Sequence, residues 1–343
     1  MEYEGRYKAF DPAQITTYPL RTRSNKVTLG DLVFPTDRRG LSVDLSAEVQ
    51  DAIRLVARSV GAARRSGKPV ILFTGAHLIK NGLGPLLVDL VDRGAVTLVA
   101  GNAATSIHDF ELALIGETSE NVPAALHEGA FGMAYEFAYI NSALAVGNQQ
   151  KLGFGEALGR LICDEEFRRP VLSLVASQGA PGDFPHPEVS VLAACYRRGI
   201  PFTVHAGIGT DVIDQHPSFD GQAKGGCSGR DFLVYANEVT ELTDGGVVLN
   251  IGSAVTGPEV LLKSVSMAAN VGRAPKGIVT ADFDLRGYDP GQMRDESVQG
   301  YYFRDQKSVV TRIPQAFGGR GFYICGDQRQ TVPFFYQRII EAL

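Results

Sequence analysis

Tryptophan is absent from the 343 residues, and cysteine occurs only at Cys163, Cys195, Cys227 and Cys325. The four cysteines are scattered, with no CxxC pair, which argues against a zinc ribbon or a disulfide framework. No window approaches ~18 continuous apolar residues, so no transmembrane helix is expected. The opening Met1-Glu2-Tyr3-Glu4 lacks the apolar core of a signal peptide. Basic residues fall short of acidic ones, 33 against 38, for a net charge of −5, which argues against a nucleic-acid-binding surface. There is no Walker A motif, no GxGxxG after the first expected strand, and no HxH or HExxH spacing for a metal. These absences lead to the expectation of a reduced, cytoplasmic protein with neither nucleic acid nor membrane as partner.

What is present reads as a folded α/β chain. Apolar residues make up 44% and charged residues 21%, enough for a sizeable core. Residues 1–44 are polar and irregular and read as an N-terminal arm, and 45–343 as one large α/β domain. Val49, Ile53, Val56, Ala57 and Val60 follow helical spacing. The apolar run Val70–Phe73 reads as a buried strand, Leu83 to Val91 as a helix stopped at Gly94, and Val96–Ala100 as the next strand. Further strands are expected at Val171–Ala176, Pro201–His205, Gly246–Ile251, Gly277–Ala281 and Gly321–Cys325. Helices are expected at Glu188–Arg198, Arg230–Leu242, Glu259–Val271 and from about Val332 to Leu343. Short, nearly all-apolar strands alternating with helices imply a Rossmann-like, mostly parallel sheet with helices on both faces.

In such sheets ligands bind beyond the carboxyl ends of the strands. Glycine, at 39 residues above the usual ~7%, concentrates at those ends. The expected tips are Thr74-Gly75-Ala76-His77, Ala100-Gly101-Asn102, Ser177-Gln178-Gly179-Ala180, His205 to Asp211, Gly252-Ser253-Ala254, Thr280-Ala281-Asp282 and Gly326-Asp327. Small residues permit close backbone approach, and helix starts offer free amides for phosphate. Together the tips point to a groove long enough for a dinucleotide.

Carboxylates gather near the same ends: Asp109, Glu111, Asp211, Asp214, Glu259, Asp282 and Asp284. They suit either a cationic amine or the ribose hydroxyls of a nucleotide. His205 and His216 are candidate general bases. Lys224, in Gly221-Gln222-Ala223-Lys224-Gly225-Gly226-Cys227-Ser228-Gly229-Arg230, is a candidate Schiff-base lysine in a loop that reads as a mobile lid or a phosphate cradle. Glu259 completes the candidate catalytic set.

The order of these segments resembles deoxyhypusine synthase and its wider NAD-binding superfamily over roughly residues 45–343. Thr74 to Gly82 is similar in position to that family's Thr-Ser-Asn-Leu-Ile-Ser-Ser-Gly stretch. Ala100-Gly101-Asn102 with Asp109 and Glu111 resembles its Thr-Ala-Gly-Gly and acidic pair. Ile200-Pro201-Phe202 through Asp211, Asn250 to Val255, Thr280-Ala281-Asp282 and Gly326-Asp327 follow in the same order. The resemblance implies NAD held by Thr74, Gly75, Ala100, Gly101, Asn102, Glu111, Asp211, Gly252, Ser253, Thr280, Ala281, Asp282 and Asp327. It also implies a homo-oligomer, dimer or tetramer. The family's Gly-Gly-Gly-x-x-Lys-His-His is not matched: Gly252 to Glu259 holds no lysine, which argues against authentic deoxyhypusine synthesis. Locally, Ala100-Gly101-Asn102-Ala103 with His108, Asp109 and Glu111 is similar to the NAD-binding domain of bifunctional arginine dihydrolase/ornithine cyclodeaminase proteins. The expected function is therefore NAD-dependent oxidation of a C–N carbon in a small amine or amino acid, followed by transfer, cyclisation or hydrolysis. The alternatives are a nucleotide-binding regulator, a nicotinamide–ribose-cleaving enzyme, and a metal-dependent hydrolase.

Overall fold

A computed structural model describes residues 3–36, 44–175 and 182–343. Six strands form one sheet: β1 (Val70–Thr74), β2 (Leu98–Gly101), β3 (Phe202–Val204), β4 (Val247–Ile251), β5 (Val279–Asp284) and β6 (Arg320–Cys325). All five pairings are parallel, and the spatial order is 3-2-1-4-5-6. The chain fills one half of the sheet outward from β1, then returns to β4 and fills the other. The reversal falls between β1 and β4, the position at which doubly wound sheets open a crevice.

The strands are buried on both faces, as their unbroken apolar runs require. Val70 and Leu72 belong to one core with Ile53, Val56 and Phe335; Ile71 and Phe73 belong to the other with Tyr235, Leu261 and Val265. The first core contains α1 (Ala47–Arg65), α2 (Gly84–Asp92) and α3 (Ala103–Ile115), then α4 (Phe137–Gln149), α5 (Phe154–Cys163), α6 (Glu165–Ser173) and α7 (Val191–Arg198). The second face is covered by α8 (Gly221–Val239) and α9 (Thr256–Asn270), and α10 (Gln328–Ala342) returns to pack along α1. No helix among the described residues is long and apolar enough to cross a membrane.

Several expectations change. Val171–Ser173 is not strand but the end of α6, whose start Asp164 caps by accepting from the Glu166 and Phe167 amides. The tip expected at 177–180 lies outside the described residues. The glycine-rich stretch from Gly221 is not a loop but the first half of α8, capped by Asp220. A Cβ at Gly226 would meet Asn148 Oδ1 at 2.4 Å, so a larger residue there would displace the Asn148 side chain. β5 runs three residues further than expected, to Asp284, so Thr280 and Ala281 sit inside the sheet rather than at its tip. The arm is partly ordered into the body: Asn25–Thr28 pairs antiparallel with Glu117–Glu120.

Candidate functional site

Register fixes what faces the second core. Thr203, Ala100, Phe73, Asn250, Asp282 and Tyr323 are aligned partners across all six strands. Side chains alternate along a strand, so these six form one row on one face. One step beyond, at the carboxyl edge, the same face carries His205, Asn102, Gly75 and Gly252. A cavity of about 770 Å³ opens over this end of the sheet, lined by Asn102, Ala104, His205 to Ile208, Thr210 and Asp211. Its opposite wall is α8, through Lys224, Gly225, Ser228, Gly229 and Phe232, with Thr256 and Val260 of α9. The volume is within the range of small-molecule sites.

The wall from α8 has a simple cause. Gly225, Ser228, Gly229 and Phe232 are spaced i, i+3, i+4 and i+7, one helical face. A Cβ at Gly225 or Gly229 would meet nothing within 4 Å, so the glycines leave the cleft open there. At the strand reversal the opposite holds. A Cβ on Gly75 would lie 2.2 Å from the Gly252 carbonyl oxygen, and Gly252 itself has φ +68°. The tips of β1 and β4 meet backbone to backbone, which only glycine allows.

His205 ends β3 against a flat aromatic floor. Its ring stacks on Phe73 at 5.5 Å and meets Tyr235 edge-on at 5.3 Å. Nε2 is paired with Thr203 Oγ1 at 3.1 Å. Burial pushes its pKa down to about 3, so the imidazole is neutral. His216 is also pushed down by burial, to about 4; its Nδ1 accepts from the Ser218 amide. His216 does not line the cleft. Neither histidine is poised to titrate near neutrality, contrary to the general-base expectation.

Lys224 is buried, and its ammonium donates to the Gly207 carbonyl (2.8 Å), Asp211 (2.7 Å) and Asp214 (2.5 Å). A lysine held by two carboxylates and a carbonyl is a clamp, not a nucleophile: it closes the 207–214 loop along the cleft. Asp211 lies on the rim but is committed to that clamp. Glu259 sits in the first turn of α9 and pairs with Lys263 and Arg304 outside the cleft.

The remaining candidates divide. Asn102 caps α3 by accepting from the Thr105 amide at 2.9 Å, and its Nδ2 has no partner among the described residues. Gly101 and Ala100 lie just beneath it. The Thr74 hydroxyl donates to the Gly75 and Ile251 carbonyls. Ser253 accepts from the Gly257 amide and so enters α9 as a cap. Thr280 is buried and donates to the Val309 carbonyl. Asp327 caps α10 and pairs with Arg329, away from the cleft. Asp109 is buried and accepts from Ser190 Oγ and the Val191 and Leu192 amides, so it fastens the start of α7. Burial raises it to about 6 despite those bonds.

Asp282 accepts from Asn250 Nδ2 at 2.7 Å beneath the rim. It shares a corner with Asp284 and Asp305, which Arg286 bridges. Burial first, then the Asp305 charge, push the Asp282 carboxyl well above its ordinary range. Glu111 lies in neither place: it lines a second, smaller cavity with Arg23 and Lys80. Ser228 was missed in the sequence because its stretch reads as a glycine loop, and Phe232 because the helix expected from Arg230 was not joined to that stretch; the i, i+4 spacing was the available signal.

No family model and no curated protein matches the chain. Among solved structures it is similar to ArgZ, an arginine dihydrolase from the ornithine-ammonia cycle in cyanobacteria, at 16% identity over 87% of this chain and 32% of that one, with a TM-score of 0.46. It is also similar to a conserved LOR/SDH protein from Methanococcus maripaludis S2, at 14% identity over 89% of this chain and 73% of that one, TM-score 0.47. A deoxyhypusine synthase-type protein from Entamoeba histolytica matches at 8% identity over 85% and 88%, TM-score 0.35. The chain thus spans about a third of the length of ArgZ. All three likenesses are remote.

Proposed function

We propose that this chain is an NAD-dependent enzyme acting on a small amine or amino acid. The observation that carries the reading is the 3-2-1-4-5-6 strand order with a cavity over the carboxyl edge beside the reversal. One further feature supports the reading: Gly75 and Gly252 bring the β1 and β4 tips into backbone contact, so neither carries a side chain at the reversal. Asn102 Nδ2 and the first amides of α3 offer uncommitted donors for phosphate or ribose oxygens. When bound, the dinucleotide would supply a two-electron hydride acceptor for the nitrogen-bearing carbon of the substrate. The His205 ring, neutral and fixed on Phe73, supplies a flat wall for a planar ligand ring rather than a proton acceptor. The Lys224 clamp holds the 207–214 loop as the outer lip and limits access of water.

A second reading is favoured by one observation. Burial pushes the His205 imidazole down to about 3, and Lys224 and Asp211 are paired with each other, which suits a nucleotide-binding protein without proton transfer. Calorimetric titration with NAD⁺ and NADH, followed by mass spectrometry of candidate amines incubated with NAD⁺, separates the two. Heat with product supports the enzyme; heat without any product supports the binding protein. No heat with either dinucleotide removes both.

A further inference from the structure

The second cavity, about 210 Å³, adjoins the cleft and shares Ala104, Thr210 and Asp211 with it. Its walls come from separate parts of the chain, among them Lys80 after β1, His108 and Glu111 on α3, and Ser119 and Glu120 on the short strand that the arm covers with Arg23. Its charges can be accounted for one at a time. Arg23 is buried between Glu111 at 2.8 Å and Glu120 at 3.7 Å. Glu111 also accepts from the Thr118 hydroxyl. Glu120 also accepts from the Tyr18 hydroxyl at 2.9 Å and the Gly132 amide at 3.1 Å. Asp211 is held by Lys224. Every carboxylate in the wall therefore has its donors.

Two polar groups in the same wall do not have partners. The Lys80 ammonium is half-buried and has no hydrogen-bond or ion-pair partner among the described residues. Ser119 is buried, and no described residue bonds its hydroxyl. Its backbone lies at φ +71°, a left-handed conformation uncommon outside glycine and costly to maintain. A half-buried cation without a counter-ion, in the same cavity wall as a residue with a spare hydroxyl, is a site prepared for an anion.

We infer that this cavity is an oxyanion subsite, taking a carboxylate or a phosphate group of an organic ligand, with Lys80 as its charge and Ser119 as its hydroxyl donor. The cavity is too small for a nucleotide but large enough for one end of a small molecule reaching in from the cleft. The inference rests on the proposed function only for the owner of the oxyanion. A carboxylate would be the substrate's, which would favour an amino acid over a plain polyamine; a phosphate would be the dinucleotide's.

The test is thermal-shift and calorimetric titration of the full chain and of its Lys80→Met, Lys80→Arg and Ser119→Ala variants. The probes are inorganic phosphate, NAD⁺, the common α-amino acids, and two matched pairs that differ only in a carboxylate: L-lysine against 1,5-diaminopentane, and L-ornithine against 1,4-diaminobutane. At least one oxyanion compound is expected to stabilise the wild type. Lys80→Met should weaken it by about tenfold or more, Ser119→Ala by less, and Lys80→Arg should retain most of it. A loss confined to NAD⁺ and phosphate assigns the oxyanion to the cofactor, and a loss confined to amino acids assigns it to the substrate. If no oxyanion compound stabilises the wild type, or if a folded Lys80→Met chain responds as the wild type does, the inference is overturned. Binding of an amino acid that needs Lys80, in a chain that takes no dinucleotide, would remove the cofactor reading and leave this one standing.

Discussion

Lys224 shows how burial reassigns a residue. A lysine among glycines reads as a reactive amine on a mobile loop, yet in the fold its three protons are all placed on Gly207, Asp211 and Asp214. Borohydride treatment with a carbonyl compound is therefore expected to trap no adduct at Lys224 in peptide mass spectra. Lys224→Met leaves two buried carboxylates without their cation and should cost about 3–5 kcal/mol in chemical denaturation. Gly75 makes the converse point. Gly75→Ala would place a methyl group 2.2 Å from the Gly252 carbonyl oxygen, so the β1 and β4 tips must part. The expected result is a loss of about 1–3 kcal/mol, as for overpacking, together with weakened dinucleotide binding. A variant with wild-type stability would mean that the two tips do not need their close contact.

Among the elements, α8 does the most positioning. Its Lys224 end clamps the cleft lip, and its middle carries Asp231, whose Oδ2 accepts from the Val204 amide at 2.7 Å and the Gly155 amide at 3.0 Å. One carboxylate thus ties edge strand β3 to α5. Burial raises Asp231 from 3.8 to about 7. With the folded value above the unfolded one, its stabilising contribution is complete below the unfolded pKa and is lost as pH rises through the folded one. Stability should therefore decline between about pH 4 and pH 7 from this group. Asp231→Asn keeps an oxygen for both amides but does not titrate, so its denaturation midpoint should be flatter over that window. An unchanged slope would show that Asp231 does not carry the effect. The same helix shows where sequence reading stops. β1, β2, β4 and β6 were legible within a residue or two because an all-apolar run bounded by glycine or proline has few alternatives. The first half of α8 was not, because four glycines in ten residues speak against a helix, and the Asp220 cap and the packing of α8 on the sheet override that preference. Val171–Ala176 looked like a strand by composition, but its start, Val171–Ser173, ends the helix that Asp164 caps. Ser119 and Arg23 had no local signal: their importance comes from the pairing of Asn25–Thr28 with Glu117–Glu120, almost ninety positions apart.

At the scale of the whole molecule, two cores meet on one sheet, and the residues that line the cleft come from the segments that follow β2 and β3 and from α3, α8 and α9. The central strands β1 and β4 have neighbours on both sides and helices over both faces, so their amides should exchange with deuterium only through global unfolding. The stretch 207–214 should exchange faster and slow on addition of NAD⁺, with little change in α10. Protection appearing along α10 instead would place the ligand on the other side of the sheet. Of the candidate site, the general location at the carboxyl edge was readable from strand-end composition. The division between residues facing the cavity (Asn102, His205, Asp211, Lys224) and residues serving as caps or ties (Asp109, Ser253, Thr280, Asp327) was not, because both roles call for the same small polar side chains.

The pairing of the arm with Glu117–Glu120 has a practical corollary for anyone trimming the protein. Residues before Ala47 look dispensable, an irregular polar leader of the sort routinely cut away to encourage crystals. Removing them would strip Arg23 from the pocket wall and the Tyr18 hydroxyl from Glu120, and leave Glu111 and Glu120 without the guanidinium between them. A shortened version could keep its sheet and still lose the chamber beside the cleft, so negative binding results from such a protein would say nothing about the intact one.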